Sequence, residues 1–272
     1  MEIKGKIALV LGAVKGIGKG IGFDLAAQEA ELILTRHDWE NAFGSMAEDF
    51  NASKAVHHII QADLRSPDQI QSLAAFIRNT YGRLDILINN IERGGWPTVH
   101  GEYVEEQWDL EIETTLKAKR WVFDAMFPLL QASENAVVIN ISSIAGMVGR
   151  TGPAALVFND GYAAANRAIQ TLTETWARMG APHIRVNELM LGIFETRHAQ
   201  DTRGWRDVLT DKEKQSLVDH TLAGRTGKIS DVVKAVNFLI KDAPYMTGAV
   251  LRLDGGFVLA GEKVPPMPRG IV

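Results

Sequence analysis

Between Lys6 and Leu25 the chain reads KIALVLGAVKGIGKGIGFDL, and this stretch leaves few folds open. Ile7-Ala8-Leu9-Val10-Leu11 is a short, uninterrupted apolar run, as expected of a strand buried on both faces. Gly12, Gly16 and Gly18 come next, interleaved with Lys15 and Ile17, and lead into a helical pattern with Ile21, Leu25 and Ala26 on one face. Strand, glycine turn and helix N-terminus together make a cradle for a dinucleotide. The glycines let backbone approach a pyrophosphate, and the helix end offers N–H groups and a positive dipole. The same residues also fit a turn with no ligand, so the reading depends on the rest of the chain.

Apolar runs and helical patterns alternate from there on. Glu31–Thr35, His57–Ile60, Leu84–Ile88, Ala136–Ile141, Ile184–Leu189 and Ala249–Leu253 read as further strands. Ser66–Tyr81, Val104–Leu130, Gly161–Met179 and Asp231–Ile240 read as helices, the first with Ser66 as N-cap and Pro67 in its first turn. Strands joined by helices imply parallel crossovers. The expected architecture is therefore α/β: a single doubly wound domain over residues 1–272, with a seven-stranded parallel sheet covered by helices on both faces. Two segments stand outside the alternation. Gly192–Gly227 is expected to form a substrate lid at about 193–227, and a Pro-rich tail occupies 261–272.

With 272 residues, 46% of them hydrophobic, the chain can bury a large core without cross-links. It has no Cys, which excludes disulfides, thiolate metal sites and a Cys nucleophile. A net charge of -4 without a basic run argues against nucleic acid as a partner. No apolar stretch reaches the roughly 18 residues that a membrane span needs. MEIKGKIALV enters a strand without the apolar region of a signal peptide, so the expected location is cytoplasmic. His57-His58 reads as a strand pair facing opposite ways, and no spacing suggests a metal site.

In a doubly wound sheet ligands sit outside the carboxyl ends of the strands, so the residues after each strand carry the chemistry. Arg36 follows the second strand. An acidic residue there would bond the ribose diol of NAD. An arginine suits the 2′-phosphate of NADP, with Lys15 as a second positive charge, unless both are solvated surface residues. Asp63 and Leu64 follow the third strand; Asp63 reads either as a contact to the adenine edge or as a helix cap. Asn89 and Asn90 follow the fourth, with amides able to tie strand ends together. Ser142 and Ser143 follow the fifth, and Tyr162 opens a helix. The segments flanking the cleft carry Trp96, Met147, Phe158, Phe194, His198 and Trp205, an apolar lining of the kind small-molecule pockets have, though each also suits packing.

Taken together, these motifs resemble the short-chain dehydrogenase/reductase family. The resemblance is carried by Leu11-Gly12-Ala13-Val14-Lys15-Gly16-Ile17-Gly18, Leu84-Asp85-Ile86-Leu87-Ile88-Asn89-Asn90 and Asn140-Ile141-Ser142-Ser143-Ile144-Ala145-Gly146. Tyr162 in a small-residue helix, Ile184-Arg185-Val186-Asn187 and Leu253-Asp254-Gly255-Gly256 continue it in family order. The resemblance implies a Rossmann-like NAD(P)-binding domain and hydride transfer between a nicotinamide cofactor and a small or medium apolar carbonyl or alcohol. It implies Gly12, Lys15, Gly16, Ile17, Gly18, Arg36, Asp63, Leu64, Asn90 and Thr196 as cofactor-binding residues, with NADP preferred. It also implies a homodimer or homotetramer joined through the long helices at 104–130 and 161–179.

Carried over position by position, Ser143 matches the serine that orients the carbonyl and Tyr162 the acid/base tyrosine. Two partners differ. Asn166 stands where the family has a lysine four residues after the tyrosine, and Thr115 falls where an asparagine is expected. A phenol titrates near ~10 when unperturbed, and a neighbouring ammonium lowers that value. Asn166 is able to bond a ribose hydroxyl but carries no charge, and Arg167 lies about 100° round the helix. Lys117 and Lys119 share a helix with Thr115, without a spacing that brings either to Tyr162. Glu92 stands where a glycine is usual, Leu191 replaces a proline before Gly192, and the stretch Arg150–Gly161 is long enough to loop over the pocket. The alternative is therefore an enzyme of the same fold with non-reductive chemistry (a dehydratase, isomerase or cyclase), or a catalytically weak cofactor-binding protein.

Overall fold

The computed structural model describes all residues except 38–39, 54, 92–103, 197–204, 206–208, 262–263, 268–269 and 271–272. Glu92, Trp96, His198 and part of the expected lid segment fall outside the described residues. Strands β1 (Ile7–Val10), β2 (Glu31–Arg36), β3 (His57–Gln61), β4 (Ile86–Asn89), β5 (Ala136–Ser143), β6 (Ile184–Leu191) and β7 (Val250–Leu253) form one sheet in the order β3-β2-β1-β4-β5-β6-β7. Every pairing is parallel, as the alternation with helices requires.

The helices are α1 (Gly16–Ala27), α2 (Glu40–Ala52), α3 (Pro67–Tyr81), α4 (Glu105–Glu111), α5 (Ala118–Gln131), α6 (Ala145–Val148), α7 (Asp160–Gly180), α8 (Asp211–Asp219) and α9 (Ile229–Asn237). They cover both faces of the sheet. Ile7, Leu9 and Leu11 point into one core with Ile77 of α3, Phe123 of α5 and Trp176 of α7. Ala8 and Val10 point into the other with Ile21 of α1, Phe50 of α2 and Val232 of α9. This explains why β1 and the starts of β4 and β5 read as continuous apolar runs: each strand is buried on both sides. His57 packs near Phe50 and His58 near Phe76, so the pair does face opposite ways. No helix is long and apolar enough to cross a membrane among the described residues.

Local signals place α3 where the sequence predicts it. Ser66 accepts from the Gln69 N–H, Pro67 fills the first turn, and Gly82 ends the helix at φ 71°. Elsewhere the boundaries differ. The expected helix Val104–Leu130 is α4 and α5 joined through a wide π turn at Ile112–Lys117. Both β5 and β6 run two residues past the expected ends at Ile141 and Leu189, because the ladder continues to Ser143 opposite Leu191. The last helix starts at Ile229 and runs into a second π turn, Phe238–Asp242. α2 has no counterpart in the expectation, since its buried Met46 and Phe50 are scattered among Glu, Asp and Asn.

Candidate active site

The strand order reverses between β1 and β4, and the glycine turn opens into that crevice. Gly12 holds φ +64°, and a Cβ on it would lie 2.6 Å from the Asn90 carbonyl oxygen. A Cβ on Gly18 would lie 2.2 Å from the Gly12 carbonyl oxygen, so neither position has room for a side chain. Asn90 Nδ2 donates to the carbonyls of Leu11 at 3.3 Å and Gly12 at 3.5 Å, bracing the turn from β4. Thr35 Oγ1 accepts from the Gly12 N–H at 3.1 Å, bracing it from β2. Lys15 sits in extended backbone at the N-cap of α1, with Gly16 and Ile17 half-buried behind it. A side-chain-free backbone in front of a helix N-terminus fits a pyrophosphate.

Arg36 ends β2. Its Nη2 donates to Gln61 Oε1 at 2.7 Å, and its guanidinium carbon lies 3.9 Å from the centre of the Phe43 ring. Asp63 is not a helix cap, since Ser66 has that role. Its carboxylate accepts from Arg65 Nε at 3.0 Å, Nη2 at 2.7 Å and the Arg65 backbone N–H at 3.0 Å. The Arg65 guanidinium, opposed by some burial and helped by His37, holds its carboxyl down at about 2. The Leu64 side chain packs into the core beneath.

At the far end of the crevice the structure joins three of the four residues carried over by resemblance. Asn166 is fully buried; its Oδ1 accepts from the Ser143 N–H at 2.9 Å and its Nδ2 donates to the Tyr162 carbonyl at 3.0 Å. Both of these Asn166 bonds run inward, to β5 and to the first turn of α7. The physical reason is that the Ser143 N–H has no strand partner and needs an acceptor. Ser143 Oγ accepts from the Ala145 N–H at 3.1 Å. Tyr162 is buried in an apolar cluster with Ile144, Ala154, Phe158 and Met190. Asn159 caps α7 by accepting from the Tyr162 N–H at 2.9 Å, and donates to the buried Glu111 of α4. Thr115, in the π turn, is buried with its Oγ1 lacking a hydrogen-bond partner, so it does not reach the other three. The long stretch before Tyr162 is a 3-10 turn at Gly152–Leu156, with Ala154 and Phe158 packed against the tyrosine.

A polar seam runs beneath these residues; Asn89 ties neighbouring strands as its amide suggests, while Lys119 and Glu188 carry no signal in the sequence motifs. Asn89 Nδ2 donates to Asn140 Oδ1 at 3.2 Å, and Asn140 Nδ2 donates to Thr173 Oγ1 at 2.9 Å. Ser142 Oγ donates to Glu188 Oε1. Lys119 Nζ donates to the Ile141 carbonyl at 2.7 Å. Lys119 and Glu188 are both fully buried. The available signal was position: Glu188 alternates with Val186 and Met190 along an inward strand face, and Lys119 falls on the buried stripe of α5. Thr196 lines a cleft of about 380 Å³ with Phe194, Arg225 and Lys228, next to the bridge between Phe194 and Gly227.

The family model described as short chain dehydrogenase matches residues 6–207. The 3-oxoacyl-(acyl-carrier-protein) reductase FabG of Escherichia coli is 30% identical over 263 residues, covering 95% of this chain and all of that protein. The 1,6-dihydroxycyclohexa-2,4-diene-1-carboxylate dehydrogenase of Acinetobacter baylyi is 28% identical, covering 92% of this chain and 95% of its own. Among solved structures, a Pseudomonas aeruginosa RhlG/NADP active-site complex superposes with a TM-score of 0.81 at 27% identity, over 94% of this chain and 97% of that one. With a glycine turn at the strand-order reversal and relatives that are oxidoreductases along their whole length, this chain belongs to the short-chain dehydrogenase family and is an oxidoreductase of that family.

Proposed function

We propose that the protein is an NADP(H)-dependent oxidoreductase acting on a small or medium apolar carbonyl or the corresponding alcohol. The observation that carries this reading is Asn166 joining the Ser143 N–H to the Tyr162 backbone carbonyl, which holds β5 and α7 together at the same end of the sheet as the glycine turn. The turn and the N-terminus of α1 hold the pyrophosphate, Asn90 braces the turn, and Arg36 takes the 2′-phosphate. Asp63 and Leu64 flank the adenine, and Thr196 faces the nicotinamide end. NADPH, when bound, supplies the hydride. Ser143 Oγ already accepts from the Ala145 N–H, so its own O–H is the group left to donate to a substrate carbonyl oxygen. Tyr162 gives its phenolic proton to that oxygen in reduction and takes it back in oxidation. Ile144, Phe158 and Met190 around the tyrosine suit an apolar substrate.

A second reading has one observation in its favour: Asn166, at the usual lysine position, is uncharged and turned inward. On that reading Ser143 and Tyr162 polarise a substrate without redox change, as a dehydratase, isomerase or cyclase would, or the protein only binds the cofactor. Partly exposed Trp108 on α4 and Met179 on α7 suit pairing of two copies through these helices, and the working location is the cytoplasm.

Titration with NADPH and NADH, followed by NADPH consumption against a panel of apolar ketones and aldehydes, tests the main reading. Binding with turnover supports it; binding without turnover supports the second; no binding overturns the main reading. Tyr162→Phe should cut turnover by roughly 100-fold or more with NADPH affinity unchanged. A Phe variant as active as the parent would remove Tyr162 from the chemistry.

A further inference from the structure

The last residues of β5 form an open strand edge. β4 ends at Asn89, paired with Asn140, while β5 continues to Ser143 with β6 on its other side. The Ile144 N–H points to β6, where it donates to the Leu191 carbonyl. Backbone groups alternate in direction, so those of Ile141 and Ser143 point the other way, past the end of β4. Two fully buried side chains meet them: Lys119 Nζ donates to the Ile141 carbonyl, and Asn166 Oδ1 accepts from the Ser143 N–H. These groups belong to successive peptide units of one strand edge. Lys119 and Asn166 thus meet successive backbone groups of one edge, and Asn166 donates on to the Tyr162 backbone carbonyl.

We infer that Lys119 is a positioning residue of this site. It places a buried positive charge beneath Ser143 and Tyr162 from α5, and takes over from the neighbouring helix the cationic role that Asn166 does not fill. The inference rests on the reductase reading for its consequence in turnover. Arg185, the other buried cationic side chain among the described residues, is held at the opposite end of β6 under the second π turn. A cation bonded to the strand that carries Ser143 favours the anionic form of a phenol packed beside that strand.

Other ionisable groups stand on the elements packed around Tyr162. Asp160, Arg167, Glu174 and Arg178 lie on α7 itself, with Asp160 paired to Arg150 and Arg178 to Glu174. Glu105, Glu106 and Asp109 on α4 are exposed, while Glu111 is buried against Asn159. Glu113 and Lys117 lie in the π turn, the lysine exposed. Glu188 on β6 is buried and bonded to Ser142. Asp254 is held by the Gly256 and Val258 N–H groups, and His220 packs edge-on to Phe257. Neither β5 nor α6 contributes an ionisable side chain.

The test compares the parent with Lys119→Met, Lys119→Arg and the double variant Lys119→Met/Asn166→Lys. Tyr162 is followed by phenolate absorbance against a Tyr162→Phe reference, and turnover is followed against pH. Lys119→Met should raise the Tyr162 titration and the matching limb of the pH profile by about one unit or more. It should lower kcat by about 100-fold with NADPH affinity unchanged. Adding Asn166→Lys should reverse both changes, and Lys119→Arg should stay near the parent. A Lys119→Met protein with the parent's phenol titration overturns the inference, whatever its melting temperature. If that variant does not fold, a folded Lys119→Arg that titrates like an isolated tyrosine overturns it instead. The absorbance readout needs no substrate. A lysine-dependent titration in a protein that turns over no carbonyl therefore keeps the inference and rejects the reductase reading.

Discussion

Arg36 is held from two sides, by Phe43 against its guanidinium and Gln61 at its Nη2, so little rotamer freedom remains to be lost when an anion arrives. Phe43 and Gln61 come from α2 and β3, and neither could be paired with Arg36 from spacing alone. If Arg36 reads the 2′-phosphate, Arg36→Ala should weaken NADPH about 10- to 100-fold, the worth of one charge-assisted hydrogen bond, and leave NADH almost untouched. Fluorescence titration with both cofactors measures this. Equal losses would show that Arg36 supports the fold rather than selects the cofactor. Asn166 teaches the complementary lesson. Its identity as an uncharged residue was plain in the sequence, yet its inward bonds depend on the Ser143 N–H being left over when β4 stops short.

The elements around the site end where backbone groups run out of partners, and side chains take over there. Ile141 and Ser143 are one case. The second π turn is another: Arg185 Nη1 donates to the carbonyls of Leu239 and Ala243, each at 2.9 Å, and Nη2 to Ile240 at 3.0 Å. Burial lowers the pKa of this arginine from its ordinary value. Arg185→Met would leave the three carbonyls without these donors, so it should destabilise the protein by about 3 kcal/mol. Arg185→Lys should recover part of this, with urea denaturation midpoints as the measure. A loss below about 1 kcal/mol would mean that water replaces the guanidinium. Sequence places an arginine at the start of a strand here but says nothing about a helix end 54 residues later.

For the whole molecule, acid stability should carry the mark of Asp63. Its carboxyl, held at about 2 by Arg65, is depressed below the unfolded value. Such a group stabilises the fold above the unfolded pKa, near ~3.9, and the contribution disappears as pH falls through the folded one. The loss therefore falls between about pH 4 and pH 2. Asp63→Asn should lower the melting temperature at neutral pH and flatten the melting curve's dependence on pH across that window. An Asn variant with the parent's full pH dependence would assign the acid sensitivity elsewhere.

The sheet, its parallel sense and the glycine turn were legible in the chain because they follow from local signals: apolar runs of strand length, glycines before a helix, and the caps of α3. Ser143 and Tyr162 were expected as a pair from motif order alone, and the fold places both at the carboxyl end of β5. The lengths of β5 and β6, the two π turns, and the places of Lys119 and Glu188 were not legible. Each depends on which backbone groups remain unpaired after distant segments have packed. That is a property of the assembled sheet, and so buried Lys119 reaches the strand that carries Ser143 from a helix that periodicity alone could not connect to it.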